Sequence, residues 1–102
     1  MIKISVMYPG GENARFDMDY YLGRHMPMVR ERLGAALLRS EVDAGLSGAR
    51  PGSKPPFVAI AHLYFDSLDA YAAAFAPHGK AIMADIPNYT DIVPSTQVSE
   101  VR

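Results

Sequence analysis

The clearest strand in the sequence is Phe57-Val58-Ala59-Ile60-Ala61-His62-Leu63-Tyr64-Phe65. Its β-branched and aromatic residues predict a strand, in which successive side chains point to opposite faces. Both faces are largely apolar: one carries Phe57, Ala59, Ala61, Leu63 and Phe65, and the other carries Val58, Ile60, His62 and Tyr64. We therefore expect helices to cover one face of the sheet and a second subunit to cover the other.

The segments on either side of this strand predict a regular order of elements. Strands are expected at residues 2–8, 37–42 and 90–101, helices at 17–33 and 68–76, and a shorter helical segment at 80–86. Glycines and prolines predict an exposed loop at 45–56, and Pro94 predicts an edge or bulge early in the last strand. The order βαββαβ is that of a ferredoxin-like α+β domain with an antiparallel sheet. We expect a single domain over residues 1–102, which forms a dimeric α/β barrel when two sheets pack face to face.

The predicted first helix has clear boundaries and one interruption. Asp17 is expected to cap its N-terminus and Gly34 its C-terminus. Because Pro27 cannot donate a helical hydrogen bond, the helix is expected to bend near His25. The spacing predicts a core-facing stripe of Leu22, Met26, Val29 and Leu33 and a neighbouring stripe of Tyr21, His25, Met28 and Arg32. His25 is thus predicted at the edge of the buried face, where a pocket wall would lie.

Composition excludes several classes of function. The chain has 102 residues and a formal net charge of -1 at pH 7, with no cluster of Lys and Arg, so we expect no nucleic-acid partner. It has no cysteine, hence no disulfide and no thiolate nucleophile or ligand. There is no apolar run long enough for a membrane span and no signal peptide, so a cytoplasmic protein is expected. The histidines lack metal-ligand spacing and no cofactor fingerprint occurs; we expect neither metal nor cofactor.

His25 and Tyr21 are the candidates for catalysis. A histidine can take or give a proton near neutral pH, and one on the rim of an amphipathic helix can reach a cleft between helix and sheet. Tyr21, one helical turn earlier, is a candidate to orient the ring or to donate to a substrate oxygen. The alternatives are a boundary histidine bonded to a carbonyl freed by Pro27, and a tyrosine at the edge of the core.

Four further residues are candidates for ligand contact. Met28 lies on the same stripe as His25, and a soft methionine wall suits a flat hydrophobic ligand. Tyr89 follows Pro87-Asn88, where its ring could cover an apolar cavity. His62 and Tyr64 share the second face of the strand 57–65, where they could line the interior of a dimer. For His62, pairing of a buried ring with a backbone group is the favoured interpretation.

Three blocks of sequence carry a resemblance to a known family. In chain order they are Phe16-Asp17-x-x-Tyr20-Tyr21-x-x-x-His25-x-Pro27, then Phe65-Asp66-Ser67, and Pro87-Asn88-Tyr89-Thr90-Asp91-Ile92-x-Pro94-x-x-Gln97-x-Ser99-Glu100-Val101. Together they resemble the EthD family, named for ethyl tert-butyl ether degradation. The resemblance implies a homodimeric α/β barrel, similar in architecture to small cofactor-free oxygenases, isomerases, dehydratases and decarboxylases. A shared fold does not select the reaction.

Two functions are compatible with these features. The first is a cofactor-free enzyme that acts on a small apolar or aromatic oxygenated metabolite bound between helices and sheet, by proton-transfer, oxygenase or decarboxylase chemistry at His25. The second is a non-catalytic homodimer that binds a hydrophobic ligand or serves as an accessory protein in a degradation pathway, because one histidine with tyrosines can equally supply hydrogen bonds for recognition.

Overall fold

The strand Phe57–Phe65 lies inside a four-stranded antiparallel sheet. In the computed structural model, which describes residues 1–102, the strands are β1 (Ile2–Pro9), β2 (Arg39–Ala44), β3 (Phe57–Phe65) and β4 (Ser95–Glu100). Their order in the sheet is β2-β3-β1-β4, so the two longest strands occupy its centre. The predicted α+β class and the ferredoxin-like βαββαβ arrangement are confirmed.

The helices begin and end where the sequence supplies caps. A helical run over residues 18–33 (α1) starts after Asp17, whose side chain accepts a hydrogen bond from the backbone of Tyr20, and stops at Gly34, which has a φ of 61°. Ser67 caps α2 (Leu68–Phe75) in the same way. A third helix, α3 (Gly79–Ala84), follows closely, and no helix of the structure is long and apolar enough to cross a membrane.

A π-helical turn in α1 corrects the predicted core stripe. Residues Tyr21–His25 form this turn, in which the backbone N–H of Met26 donates to the carbonyl of Tyr21, before Met26–Leu33 continues as α-helix. A π turn holds more residues than an α turn, so side chains that precede it are rotated relative to the α-helical wheel. Tyr21 rotates into the core and is only 1% exposed, whereas Leu22 is 47% exposed. The prediction that Leu22 faces the core was therefore wrong.

The sheet face turned away from the helices is more polar than the alternation of β3 indicates. The ring of Tyr64 lies 4.2 Å below the guanidinium of Arg39, and its hydroxyl donates to Glu41. His62 bonds Asp43 on β2 through Nε2 at 3.0 Å. These side chains form polar pairs across β2 and β3. We call this surface the outer face, in contrast to the inner face packed against the helices.

The segment between α3 and β4 joins the start of α1. Tyr89 is fully buried and its carbonyl accepts a hydrogen bond of 2.7 Å from the backbone of Asp17. Thr90 forms an isolated antiparallel bridge with Phe16, and β4 begins only at Ser95, directly after Pro94. The predicted strand from residue 90 is therefore shorter than expected, because a proline cannot donate to the ladder with β1. This junction places Tyr89 beside the π turn.

Candidate functional site

An apolar cavity lies between the inner face of the sheet and the three helices. Its volume is about 180 Å³, and 15 of its 18 lining residues are hydrophobic. The sheet contributes Ile4, Ala61 and Leu63, and the polar atoms come from a small set of side chains that includes Tyr8, Tyr21, His25 and Thr96. An apolar cavity of roughly 150 Å³ accommodates benzene, so this one has room for a single ring.

His25 is buried at this cavity and is paired with a carboxylate. Its side chain is 5% exposed, and its Nδ1 lies 2.9 Å from Oδ2 of Asp85. An ionised carboxylate can only accept hydrogen bonds, so Nδ1 carries the proton and donates it to this bond. The lone pair of the neutral ring is therefore on Nε2, the nitrogen that a general base uses in an aspartate–histidine pair.

Asp85 is itself held by two other side chains. Tyr20 Oη donates to its Oδ1 at 2.7 Å, and Asn88 Nδ2 donates to the same oxygen at 2.9 Å. Partial burial would raise the pKa of Asp85, but the hydrogen bonds from Asn88, His25 and Tyr20 outweigh it and lower that pKa below its ordinary value. The carboxylate is consequently charged at neutral pH and fixed in orientation.

His25 is neutral in this environment. Burial lowers its pKa below the ordinary value of 6.5, although the hydrogen bond and the negative charge of Asp85 act in the opposite direction. A neutral imidazole with Nδ1 bonded to a carboxylate has an available lone pair on Nε2. His25 can accept a proton at Nε2, and Asp85 can then stabilise the resulting imidazolium.

Two buried tyrosine hydroxyls continue the hydrogen-bonded chain on the side of His25 that faces away from Asp85. Tyr89 Oη lies 3.4 Å from His25 Nε2 and 2.7 Å from Tyr8 Oη. Burial raises the pKa of Tyr8 and of Tyr89, so both hydroxyls keep their protons at neutral pH. Tyr8 lines the cavity, which makes it the end of a continuous polar chain that begins at Asp85.

The structure brings together only part of the predicted site. His25 and Tyr21 both line the cavity, and their rings stack with centroids 5.3 Å apart. Tyr89 lies behind the cavity and contacts His25 with a centroid distance of 4.6 Å. Met28 faces a separate surface depression, and His62 lies on the outer face together with Tyr64.

Sequence reasoning missed the residue that orients His25. Tyr21 was predicted to orient the ring, whereas the hydrogen bond that fixes it is donated by His25 Nδ1 to Asp85. Tyr20 and Asn88, to which the sequence analysis assigned no role, both bind Asp85. Tyr20 and Asn88 lie in the motif blocks of the resemblance, which was the one available signal. No motif marked Asp85.

The side chains around His25 do not form a recognisable set of metal ligands. No group of three or more His, Cys, Asp or Glu side chains is placed to hold a metal ion. Around His25 the only such neighbour bonded to it is Asp85, and the remaining partners are tyrosines. The donors present suit proton transfer or hydrogen-bonded recognition.

The protein is thus a small ferredoxin-like α+β domain in which a buried histidine at an apolar cavity is paired with a partly buried aspartate. Residues 10–92 match the family model of the EthD domain, and the chain belongs to the EthD family. It is similar to the crystal structure of an EthD-like protein from Ralstonia eutropha JMP134. The two share 50% identity and a TM-score of 0.93, over 97% of this chain and 89% of that one.

Two more distant similarities complete the comparison. An uncharacterized 11.0 kDa protein in the thcB-thcC intergenic region of Rhodococcus erythropolis is 30% identical over 91 residues, which cover 87% of this chain and 84% of that protein. A dimeric ferredoxin-like protein of unknown function from Thermobifida fusca YX has 14% identity and a TM-score of 0.61, over 98% of this chain and 90% of that one. The latter supports the fold alone.

Proposed function

We propose that this protein is a cofactor-free enzyme that moves a proton on a small apolar or aromatic oxygenated molecule held in the cavity. The observation that carries the proposal is the 2.9 Å bond between His25 Nδ1 and Asp85 Oδ2 at the wall of an otherwise apolar cavity. A base poised near neutral pH needs a lone pair, an orienting partner and limited access of water. His25 satisfies all three requirements.

In the proposed step, neutral His25 accepts a proton at Nε2 and becomes an imidazolium. Asp85 stabilises the new positive charge through the existing hydrogen bond, and its own proton count does not change. The electron pair left on the substrate is delocalised onto a substrate oxygen, where a tyrosine hydroxyl can donate to it. Delivery of the proton from the imidazolium to a different substrate atom completes an isomerisation; alternatively, the electron pair expels a leaving group, which takes up that proton, and in both cases His25 returns to its neutral form.

The cavity limits the substrate to a compact molecule. Fifteen hydrophobic lining residues favour an apolar body, and about 180 Å³ is enough for one ring with small substituents. The polar side chains are close neighbours, since the ring centroids of Tyr8 and Tyr21 are 5.6 Å apart and those of Tyr21 and His25 are 5.3 Å apart. A molecule with one oxygenated end fits this distribution.

The test is a panel of single-ring phenols, quinones and lactones, with turnover and deuterium uptake from D₂O measured for each. Wild-type protein should convert or exchange at least one compound, and His25→Gln should lower that rate by about 10²-fold or more. The matched control is His78→Gln, because His78 lies in a surface depression outside the cavity. Equal rates in wild type and His25→Gln would contradict the proposal.

A second candidate function is the binding of a hydrophobic ligand without catalysis. It is favoured by one observation: every fully buried polar side-chain atom already has a hydrogen-bond partner. A network in which every member has a partner needs no substrate to complete it, and it can rigidify a binding pocket without taking part in a reaction. Tight binding of a panel compound, with neither conversion nor deuterium exchange during long incubation, would establish this function in place of the first.

We also propose that the functional form is a homodimer joined through the outer faces of two sheets. The outer face carries the half-buried residues Val58 and Ile60 beside the polar pairs of His62 and Tyr64. A fold neighbour is described as a dimeric ferredoxin-like protein, which supports this arrangement at the level of the fold. A small domain gains buried apolar area from such an association.

A further inference from the structure

We infer that Tyr8 binds the hydroxyl oxygen of a phenolic or enolic substrate and that Tyr89 passes the proton from Tyr8 to His25. The inference rests on the proposed function, because it describes how the proton reaches the base. Tyr8 Oη lies 2.7 Å from Tyr89 Oη, and Tyr89 Oη lies 3.4 Å from His25 Nε2. Tyr8 lines the cavity, whereas Tyr89 is fully buried and does not.

The direction of each hydrogen bond follows from Asp85. Because His25 Nδ1 donates to Asp85, Nε2 must accept, and the Tyr89 hydroxyl donates to it. With its proton directed at His25, Tyr89 Oη accepts from the Tyr8 hydroxyl. Tyr8 Oη then retains lone pairs but no free proton. In this state Tyr8 Oη can accept a further hydrogen bond, and a substrate hydroxyl can donate it.

The proton shift conserves atoms and charge. The substrate O–H bond breaks as its proton joins Tyr8 Oη; the original Tyr8 proton moves to Tyr89 Oη, and the original Tyr89 proton moves to His25 Nε2. The substrate is left as an oxyanion and His25 as an imidazolium beside the Asp85 carboxylate. The hydrogen bonds between the substrate and His25 Nε2 have then reversed, while Nδ1 still donates to Asp85, so Tyr8 now donates to the oxyanion that it helped to form.

Neither tyrosine has to carry a charge in this scheme. Burial raises the pKa of both Tyr8 and Tyr89, which makes a tyrosinate costly and favours a shift in which the protons move together. The contact of 3.4 Å to His25 is long, and catalytic hydrogen bonds commonly shorten when substrate binds. The rings of Tyr89 and His25 are already packed at 4.6 Å, so the shortening requires little movement.

The probe for this inference is 4-nitrophenol, a single-ring phenol whose phenolate is coloured. Absorbance measures the ionised fraction of the bound probe, and heteronuclear NMR of the imidazole measures protonation of His25 in the same sample. At pH 6.5, which lies above the lowered pKa of His25, the free probe is mostly protonated, and binding to wild type should produce phenolate and imidazolium in equal fractions. Absence of binding, or of coupled ionisation, in the wild type would overturn the inference.

Two variants interrupt the chain at different points. Tyr89→Phe should leave the dissociation constant of the probe within about threefold, while the ionised fraction falls at least about tenfold. Tyr8→Phe should raise the dissociation constant about five- to tenfold, the usual worth of one hydrogen bond. If Tyr89→Phe does not fold, Tyr8→Phe still breaks the relay at the cavity. The control is His78→Gln, because His78 lies in a surface depression outside the cavity and belongs to none of the proposed sites.

Different results are expected if the relay through Tyr8 and Tyr89 fails and if the proposed function itself fails. If His25→Gln abolishes turnover while Tyr89→Phe keeps both turnover and coupled ionisation, Tyr89 does not pass the proton, but His25 is still the base. If His25→Gln keeps full turnover, the proposed function itself is wrong. Loss of coupled ionisation in Tyr89→Phe and Tyr8→Phe, with His78→Gln unchanged, would establish the relay, because a merely structural role for Tyr89 would not uncouple probe and histidine.

Discussion

Asp85 Oδ2 lies 2.9 Å from His25 Nδ1, although 60 residues separate the two in the chain. The contact joins α1, which carries His25, to the end of α3, where Asp85 follows Ala84. Gly79 at the start of α3 permits this placement, because a side chain there would come within 2.6 Å of the Phe75 ring. The close packing of α2 and α3 thereby brings a carboxylate to the histidine.

Replacement of Asp85 by asparagine should show whether the carboxylate orients the His25 ring, because the size of the side chain stays the same. The variant Asp85→Asn keeps the size of the side chain, but its amide can donate to Nδ1 and so favour the tautomer with the proton on Nε2. We expect kcat to fall by about 10²-fold or more with little change in KM. We also expect the pKa of His25 to fall further, because Asp85 raises it in the wild type.

The control for this variant is Asp69→Asn, because Asp69 is exposed on α2 and does not line the cavity. Its kcat should match that of the wild type. Steady-state kinetics on a panel substrate and NMR titration of the His25 ring provide both readouts. An Asp85→Asn enzyme with unaltered kcat would show that Asp85 does not position the base.

Stability should fall on acidification because of His25. Its pKa is below 6.5 in the folded protein, so the unfolded chain takes up a proton at a higher pH than the native state does. The free energy of unfolding therefore decreases as the pH is lowered through about 6.5, and the loss ends below the folded pKa. The lowered pKa of Asp85 acts with the same sign, but near and below 3.8.

Urea denaturation at a series of pH values measures this effect. Between about pH 8 and pH 5, the free energy of unfolding of wild type should decline more steeply than that of His25→Gln, which has no proton to take up at this position. Parallel profiles for wild type and His25→Gln would refute the depressed pKa.

The fold could be predicted from the sequence because its signals are local. The alternation in Phe57–Phe65 and the caps at Asp17 and Gly34 depend on neighbouring residues, and each was confirmed in the structure. Leu22 was misplaced because periodicity assumes a regular α-helix, whereas a π turn occupies Tyr21–His25. Nothing in the local pattern distinguishes the two geometries before Pro27.

The candidate site was only half predictable for a different reason. His25 and Tyr21 could be placed at a cavity wall from one helical face, but their partners come from distant segments. Asp85 follows a short helix, where a carboxylate is ordinarily solvated, and Tyr8 lies at the end of β1. Only the packing of α3 and of the segment around Tyr89 against α1 unites them.

Filling the cavity should abolish binding without unfolding the protein. Ala61 lines the cavity and is 2% exposed, so the larger side chain of Ala61→Leu must occupy the cavity space. We expect affinity for a single-ring ligand to fall at least tenfold. The free energy of unfolding should change by no more than about 1 kcal/mol, because existing space is filled.

Calorimetric titration and urea denaturation measure the two quantities for this variant. The control is Ala73→Leu on α2, where the side chain is exposed to solvent and cannot reach the cavity. Affinity should then equal that of the wild type. If Ala61→Leu bound the ligand as tightly as wild type does, the ligand would have to occupy another site.

Self-association should depend on the outer face of the sheet. Ile60 is half-buried on this face, and Ile60→Lys would place an ammonium group between two packed sheets. We expect sedimentation equilibrium to give a dimer for wild type at micromolar concentration and a monomer for the variant. Leu46→Lys, in the exposed loop after β2, should remain dimeric. A monomeric wild type would contradict the proposed dimer.

The most direct test of the account is the tautomer of His25, because the proposed base requires its lone pair on Nε2. Heteronuclear NMR of the imidazole nitrogens at neutral pH can identify the protonated atom in the intact protein. The Asp85 bond predicts a neutral ring with the proton on Nδ1 and an unprotonated Nε2. A ring protonated on Nε2, or an imidazolium at neutral pH, would contradict the central claim.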